Sequence, residues 1–519
     1  MEDILLRTSQ VKLGAILSYV SLALSTIISI IYTPIMITRL GESEYGVYNI
    51  VLPIISYLNL LNFGLGSAYV RYYSRYKVED DQENMHKLNG MFLLTYSVLG
   101  ALVFIIGFYL SYNGTVIFGQ KLTAQEVSLG CRLLRIMTIN AALNFPLMVF
   151  DANIMIHERY LFQKVVAMGK LVLNPLVMIP LLLMGYRSTT LTVVALIFTI
   201  LTGIVNIFYC VRILDMRFTF KGYDFSLLKE MFGFTAFVFL GIVVDEINWS
   251  IDRLMLGWFH GTTAVTIYVV ASQLNIYYLS MSNTLSNVLT PRVHRMVAQN
   301  RPMYELDAIF QRAGRLQFIL LACIYLGFLA VGKRFVVLWA GGQQFTASYY
   351  MALILFSATI FPAIQTLGIE IQKAKNMHKF RSVVYACVAL GNAALTIPLC
   401  IRWQGLGASI ATTTSTLVGN VILMNWYYHN RIGLDIKGFW RSIASLLPSM
   451  VIPTALAIAI SLFINIRGYF MIALFGLIIV AVYGGCLWLF GMNPYEKELV
   501  RKPTMKILGL FNKQKGNTI

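Results

Sequence analysis

Residues Phe232–Trp258 read FGFTAFVFLGIVVDEINWSIDRLMLGW, apolar and long enough to cross a bilayer, with a break just after them at His260-Gly261. Yet the stretch carries Asp245, Glu246, Asp252 and Arg253. A charge at mid-membrane costs roughly 2.5–3.5 kcal/mol on a lenient insertion scale, so four facing lipid would cost on the order of 10 kcal/mol, comparable to a protein's net stability. Asp252 and Arg253 sit nearer one end and read as a structural pair. Asp245 and Glu246 have to look into protein or water. The stretch is therefore expected to be a helix lining an internal cavity, and to open the second half of a duplicated chain.

Composition agrees with a membrane setting. The chain has 519 residues, 58% hydrophobic and 12% charged, against about 25% charged in soluble domains. This excludes the soluble-enzyme classes. The formal net charge of +18 does not point to nucleic acid, because the basic residues sit in short loops between apolar spans. Six cysteines lie in or beside those spans without a C-x-x-C pair and read as structural thiols, and the His residues show no metal spacing. Residues 11–38 are too long for a signal-peptide core and read as a first span.

A template of about 20 apolar residues per crossing predicts an all-α polytopic membrane protein with fourteen spans: 11–38, 45–72, 88–112, 124–150, 160–184, 189–213, 227–258, 263–291, 313–332, 346–372, 380–401, 405–429, 441–464 and 469–491. One set of loops and tails holds 30 Lys and Arg residues, from Arg7 to Lys515; the opposite set holds 7, namely Arg39, Lys121, Arg187, Lys333, Arg334, Arg402 and Arg467. That asymmetry places both termini in the cytoplasm.

The two halves carry matching markers. Asn174-x5-Pro180 answers Asn392-x5-Pro398, Phe145-Pro146 answers Phe361-Pro362, His157 answers His378, and Leu40-Gly41…Tyr48 answers Leu256-Gly257…Tyr268. The expected organisation is a first six-helix bundle at 1–222, a second at 223–438, helices thirteen and fourteen at 439–491, and a basic cytoplasmic tail at 492–519. Six spans per half make this a parallel repeat.

Several polar positions are candidates for function. Lys170 lies near the middle of span five, with Asn174 one turn on; Arg132 and Arg135 form an i, i+3 pair in the outer part of span four. Arginine suits bidentate phosphate binding, and lysine acts as a point charge. The competing reading is an internal ion pair with Asp151, Asp245 or Glu246. Asp245 and Glu246 are also candidates for coupling to H⁺ or Na⁺. Ser18, Ser21, Ser25, Ser29 and Thr33 share one face of span one, either a packing face or a wet wall. Gln273, Asn275, Asn283 and Asn287 make span eight too polar for lipid, and Glu370 is expected to pair within the basic run 373–381. No G-x-x-x-x-G-K-[ST] motif is present.

The order of Gly14-Ala15…Ser18-Tyr19, Thr33-Pro34…Arg39-Leu40-Gly41-Glu42-x-Glu44-Tyr45-Gly46-x-Tyr48, Gly64-Leu65-Gly66-x-Ala68-x-x-Arg71-Tyr72 and Asp252-Arg253…Leu256-Gly257…Gly261…Val265…Tyr268…Ala271 resembles bacterial polysaccharide flippases of the O-antigen and capsule type. These belong to the superfamily that also holds MATE exporters and lipid II flippases. The resemblance implies a two-bundle carrier in the bacterial cytoplasmic membrane. It would flip an undecaprenyl-pyrophosphate-type glycolipid outward by alternating access, with the pyrophosphate in a cationic cavity. No cofactor is implied beyond a coupling ion; polysaccharide polymerase or export machinery are candidate partners. Lipid II flippases carry an arginine inside their first span, whereas nothing between Lys12 and Arg39 is charged here, which argues against lipid II as cargo. The alternative transporter is a MATE-like, cation-coupled multidrug exporter, which requires an acid-dominated cavity. A membrane polymerase or ligase would require a large outer loop, and no connection is long enough to supply one. A passive scaffold for glycan assembly is the third reading.

Overall fold

Lipid offers backbone amides no partners, so a chain this apolar has to close its hydrogen bonds within each segment. The computed structural model describes residues 2–221, 225–375, 377, 379–499 and 501, and only the backbone of 2–19. The described residues contain helices, turns and no strand. The expected markers Ser18 (side chain) and His378, and residues 500 and 502–519 of the tail, lie outside the described residues.

The helices are α1 (Glu2–Leu40), α2 (Glu42–Asn59), α3 (Leu65–Val78), α4 (Gln82–Tyr112), α5 (Gly114–Ile117), α6 (Ala124–Ile156), α7 (Tyr160–Leu183), α8 (Ser188–Arg212), α9 (Phe225–His260), α10 (Thr262–Ala298), α11 (Met303–Ala340), α12 (Thr346–Ile364), α13 (Thr366–Ala374), α14 (Lys379–Thr416), α15 (Met424–Tyr427), α16 (Ile436–Ala444), α17 (Pro448–Phe463) and α18 (Gly468–Cys486). Among the described residues ten stretches are long and apolar enough to span a membrane, or eleven if the pair α16–α17, bent by 50°, counts as one. One of the ten, Phe380–Ile432, is 53 residues long and holds two of the expected spans. It is broken at Trp403 and Gln404, whose backbone is not helical. Just past the break a Cβ on Gly407 would lie 1.9 Å from the Leu399 carbonyl, so the chain doubles back tightly. The expected second span is also broken, at residues 60–64 between α2 and α3, and the tenth at Gln365 between α12 and α13.

Single glycines make two of the sharpest joints. Gly41 (φ 79°) separates α1 from α2, and Gly261 (φ 81°) separates α9 from α10. Positive φ is free for glycine and strained for other residues. The turn therefore falls at Gly261, and Gly257, which the sequence reading aligned with Gly41, is instead a buried position inside α9 against Ile50.

The chain forms two compact units, Met1–Ser272 with Arg381–Ser415, and Gln273–Phe380 with Thr416–Ile519. In the first, α4 packs along α6 and α6 along α8. Small residues permit the approach: a Cβ on Gly100 would meet the Ala142 carbonyl at 2.6 Å. A core of Tyr69, Phe92, Tyr96, Phe145 and Cys210 fills the space between them. Its phenol is satisfied, since Tyr69 donates to Asn89 Oδ1 at 2.7 Å and accepts from Asn153 Nδ2 at 3.1 Å.

In the second unit α11 is the axis against which α12, α17 and α18 pack. Arg315, counted above among the loop cations, is buried inside it. Its side chain is 8% exposed and that of Glu496 3%. Nε and Nη2 donate to the Glu496 carboxylate at 2.6 and 2.9 Å, and the remaining donors reach Ser442 O, Ser445 Oγ and Gly491 O. This ties α11, α16 and the segment after α18 together. As expected, Glu370 pairs with Lys373 at 2.8 Å, and also meets His294 at 3.3 Å. All six cysteines are free; Cys210, Cys400 and Cys486 are buried, while Cys387 is exposed.

Glu496→Ala strands the Arg315 charge and is expected to remove about 3–5 kcal/mol of stability, read as a fall in the melting temperature of the detergent-solubilised protein. Gly100→Val forces a side chain against backbone that cannot yield and is expected to destabilise by about 1–3 kcal/mol. Gly391→Ala, where a Cβ meets nothing within 4 Å, should be neutral or stabilising in the same melt.

Candidate functional site

Two polar clusters stand inside the first unit. The first joins α6, α7 and α8. Lys170 is half-buried and lies one turn before Asn174 on α7. Its Nζ donates to Thr199 Oγ1 of α8 at 3.4 Å, and it interacts electrostatically with Asp151 of α6. Asp151 Oδ1 in turn accepts from Asn206 Nδ2 at 2.5 Å. Of the partners the sequence left open for Lys170, Asp151 is the one the fold supplies. Asn174 Oδ1 is buried with no hydrogen-bond partner among the described residues. An open carbonyl accepts hydrogen bonds only, so it suits a hydroxyl donor rather than a phosphate.

Arg132 and Arg135 do not join this cluster. Arg135 donates through Nε to Ser111 Oγ at 3.2 Å and lies over the Tyr112 ring at 5.1 Å; Arg132 is exposed. From Arg135 to Asp151 the axis of α6 rises about 24 Å at 1.5 Å per residue. Lys170 stands with Asp151, toward the far end of α6 from both arginines. Chain adjacency suggested a single group of three cations; the fold separates them along α6.

The second cluster was missed. Asp252 is 3% exposed and accepts from Tyr268 OH of α10 and from Thr396 Oγ1 and Thr412 Oγ1 of α14 at 3.2 and 2.9 Å. Asn392 Oδ1 lies 3.4 Å from both threonine hydroxyls. The hydrogen bonds to the carboxylate come from hydroxyls; Arg253 acts on it through charge alone, and its buried Nε has no hydrogen-bond partner among the described residues. Each threonine proton faces two acceptors, which leaves an oxygen-rich shell around one formal negative charge. Such a shell suits a small cation or a proton. The available signal is the polar face Asn392-x3-Thr396; the sequence analysis takes Asn392 only as part of the Asn392-x5-Pro398 repeat marker.

Two other carboxylates of α9 stand in a more open setting. Asp245 is exposed, and Glu246 is half-buried and accepts from Ser250 Oγ one turn away. On the expected serine face of α1, Ser21 Oγ is buried and unpartnered among the described residues, while Ser25 bonds back to Leu22 O.

The acids of the Gly41–Gly46 motif have a structural role. Glu44 accepts from the Ser188 amide at 2.8 Å and its hydroxyl at 2.6 Å, and pairs with Arg187 at 3.1 Å, capping α8. Nearby, Glu126 closes a capping box with Thr123 and accepts from Ser43 and Thr262. A Cβ on Gly46 would meet the Thr262 carbonyl at 2.2 Å.

Comparisons with known proteins agree with the resemblance read from the motifs. A family model described as "Polysaccharide biosynthesis protein" matches residues 12–297. The chain is 20% identical over 418 residues to a "Putative O-antigen transporter" of Shigella flexneri, covering 78% of this chain and 94% of that protein. Its fold is similar to that of a lipid II flippase MurJ in an inward closed conformation (TM-score 0.73, 16% identity, 92% of this chain and 98% of that one). It is also similar to that of an inward-facing multidrug resistance MATE family transporter (TM-score 0.64, 12% identity, 80% and 96%). With more than half of its length matched by the family model, the chain belongs to the polysaccharide biosynthesis protein family.

Proposed function

We propose that this protein is a carrier of the bacterial cytoplasmic membrane that flips a polyprenyl-pyrophosphate-linked oligosaccharide from the inner to the outer leaflet by alternating access. The observation that carries the reading is Lys170, a half-buried cation within a membrane helix of a polysaccharide-family protein, beside an unanswered polar atom on Asn174. A lysine inside a membrane helix marks a substrate or ion path by default. In this reading Lys170 attracts the pyrophosphate, with Asp151 holding the ammonium in place until cargo arrives, and Asn174 accepts from a sugar hydroxyl. Arg132 and Arg135, about 24 Å along α6, form a second cationic station toward the opposite face. The prenyl tail stays in lipid. Fourteen spans in a parallel six-plus-six repeat and cytoplasmic termini belong to the same proposal, supported by the Lys and Arg asymmetry.

Coupling to a Na⁺ or H⁺ gradient is assigned to Asp252 and its oxygen shell, in place of Asp245 and Glu246, because a dehydrated ion needs several converging oxygens. The MATE folds keep a drug-exporter reading in view, and the family match weighs against it.

Translocation of a labelled polyprenyl-pyrophosphate glycan in proteoliposomes tests the function. Loss of a charge-assisted hydrogen bond is worth about 1.5–3 kcal/mol, so Lys170→Gln with normal expression is expected to slow flipping by about 10-fold to 100-fold, while Lys170→Arg keeps part of the activity. Undiminished flipping in the glutamine variant removes Lys170 from the path. Asp252→Asn is expected to flip at a rate independent of the ion gradient; unchanged gradient dependence rejects the coupling assignment. Export of cationic dyes without glycan flipping would establish the drug-exporter reading.

A further inference from the structure

We propose that Arg292, Arg295 and Arg301 form a site for the phosphate headgroup of an anionic membrane lipid at the turn between α10 and α11. The three arginines line one cavity of about 500 Å³ together with Val288, Pro291, Met296, Gln299 and a single acid, Glu305, which leaves the lining with a net positive charge. The apolar side of the groove suits an acyl chain, and its cationic side suits a phosphate.

Depth supports a lipid rather than a soluble ligand. Helix α10 begins just after the Gly261 turn. Thirty residues later, at Arg292, its axis has advanced about 45 Å. A bilayer measures about 40–45 Å including its headgroups; with α10 as the eighth crossing of the fourteen proposed above, on which this step rests, the guanidinium groups lie at a headgroup layer. Basic pockets between membrane helices at that level bind anionic lipid heads.

Uncommitted charge is the second line of support. Arg292 and Arg295 are exposed and make no hydrogen bond, ion pair or ring contact among the described residues. Arg301 is loosely engaged: its Nε donates to Gln299 Oε1 at 3.4 Å and it meets Glu305 at 3.8 Å. Elsewhere arginines with a structural task are engaged: Arg315 by Glu496, Arg187 by Glu44, Arg75 by Glu79. Arg292 and Arg295 stand one turn apart on a helix face with no acid three or four residues away on either side. Their planar donors match phosphate oxygens.

Native mass spectrometry of the full-length protein, titrated with phosphatidylglycerol, phosphatidylcholine or inorganic phosphate, tests the site. Each arginine near a membrane surface contributes about 1 kcal/mol, so Arg292→Gln with Arg295→Gln is expected to weaken phosphatidylglycerol binding about 30-fold. Arg431→Gln, an exposed cation on another segment, should leave it unchanged. Equal retention in the double variant and the unaltered protein overturns the proposal. Displacement of phosphatidylglycerol by equimolar inorganic phosphate would show a free-phosphate site and overturns it too. If the double variant fails to fold, the unaltered protein still decides: binding that does not weaken as salt rises from about 0.1 to 1 M, where the Debye length shrinks from about 10 to 3 Å, rejects a headgroup contact.

Discussion

A polar group surrounded by hydrocarbon has to be answered by another polar group of the same protein, because nothing else is there to answer it. This condition organises the molecule more than any single contact. Arg315 is answered by a carboxylate, two carbonyls or hydroxyls of α16 and a carbonyl after α18, and so welds three segments into one unit. Asp252 is answered by three hydroxyls from two other helices. Tyr69 is answered by two asparagines at the centre of an aromatic core. Asn174 Oδ1 is among the few buried polar atoms left without such an answer among the described residues.

Packing follows a second rule. Between membrane helices there is little hydrophobic gain, so association depends on how closely backbones approach. Gly100 against Ala142, Gly46 against Thr262 and Gly407 against Leu399 are places where a side chain would not fit. They explain the tight joints at the Gly41–Gly46 motif and at the reversal near Gln404. At the same motif Glu44 reaches the amide that opens α8, while Glu126 caps the start of its own helix, where carboxylates satisfy otherwise orphaned amides.

The separation of Lys170 from Arg135 bears on any path through the first unit. A carrier that moves a diphosphate across about 30 Å of hydrocarbon gains little from a single deep cation trap, which would bind and not release. In the first unit the two cations are each engaged, Lys170 electrostatically with Asp151 and Arg135 with Ser111, so under the proposed function they would act as spaced stations rather than as such a trap.

Legibility of the chain divides along physical lines. Hydropathy, the placement of lysine and arginine, and the glycine and proline punctuation are properties of local sequence; they made the all-helical membrane class, the break at Gly261 and the Glu370 pairing readable. The order of motifs made the family readable. Which groups meet was not local. Arg315 looked like one more loop cation until α16 and the segment after α18 closed on it. Asp252 looked like the partner of its neighbour Arg253 until α10 and α14 delivered hydroxyls from 16, 144 and 160 residues away. Depth along packed helices, which parts Arg132 and Arg135 from Lys170, is likewise invisible in a linear string. By itself the sequence determined that helices must form, because lipid admits no other way to satisfy the backbone. Only the tertiary structure decided which buried charge is neutralised by which partner, because that depends on rotations and crossings of helices that the chain brings together from far apart.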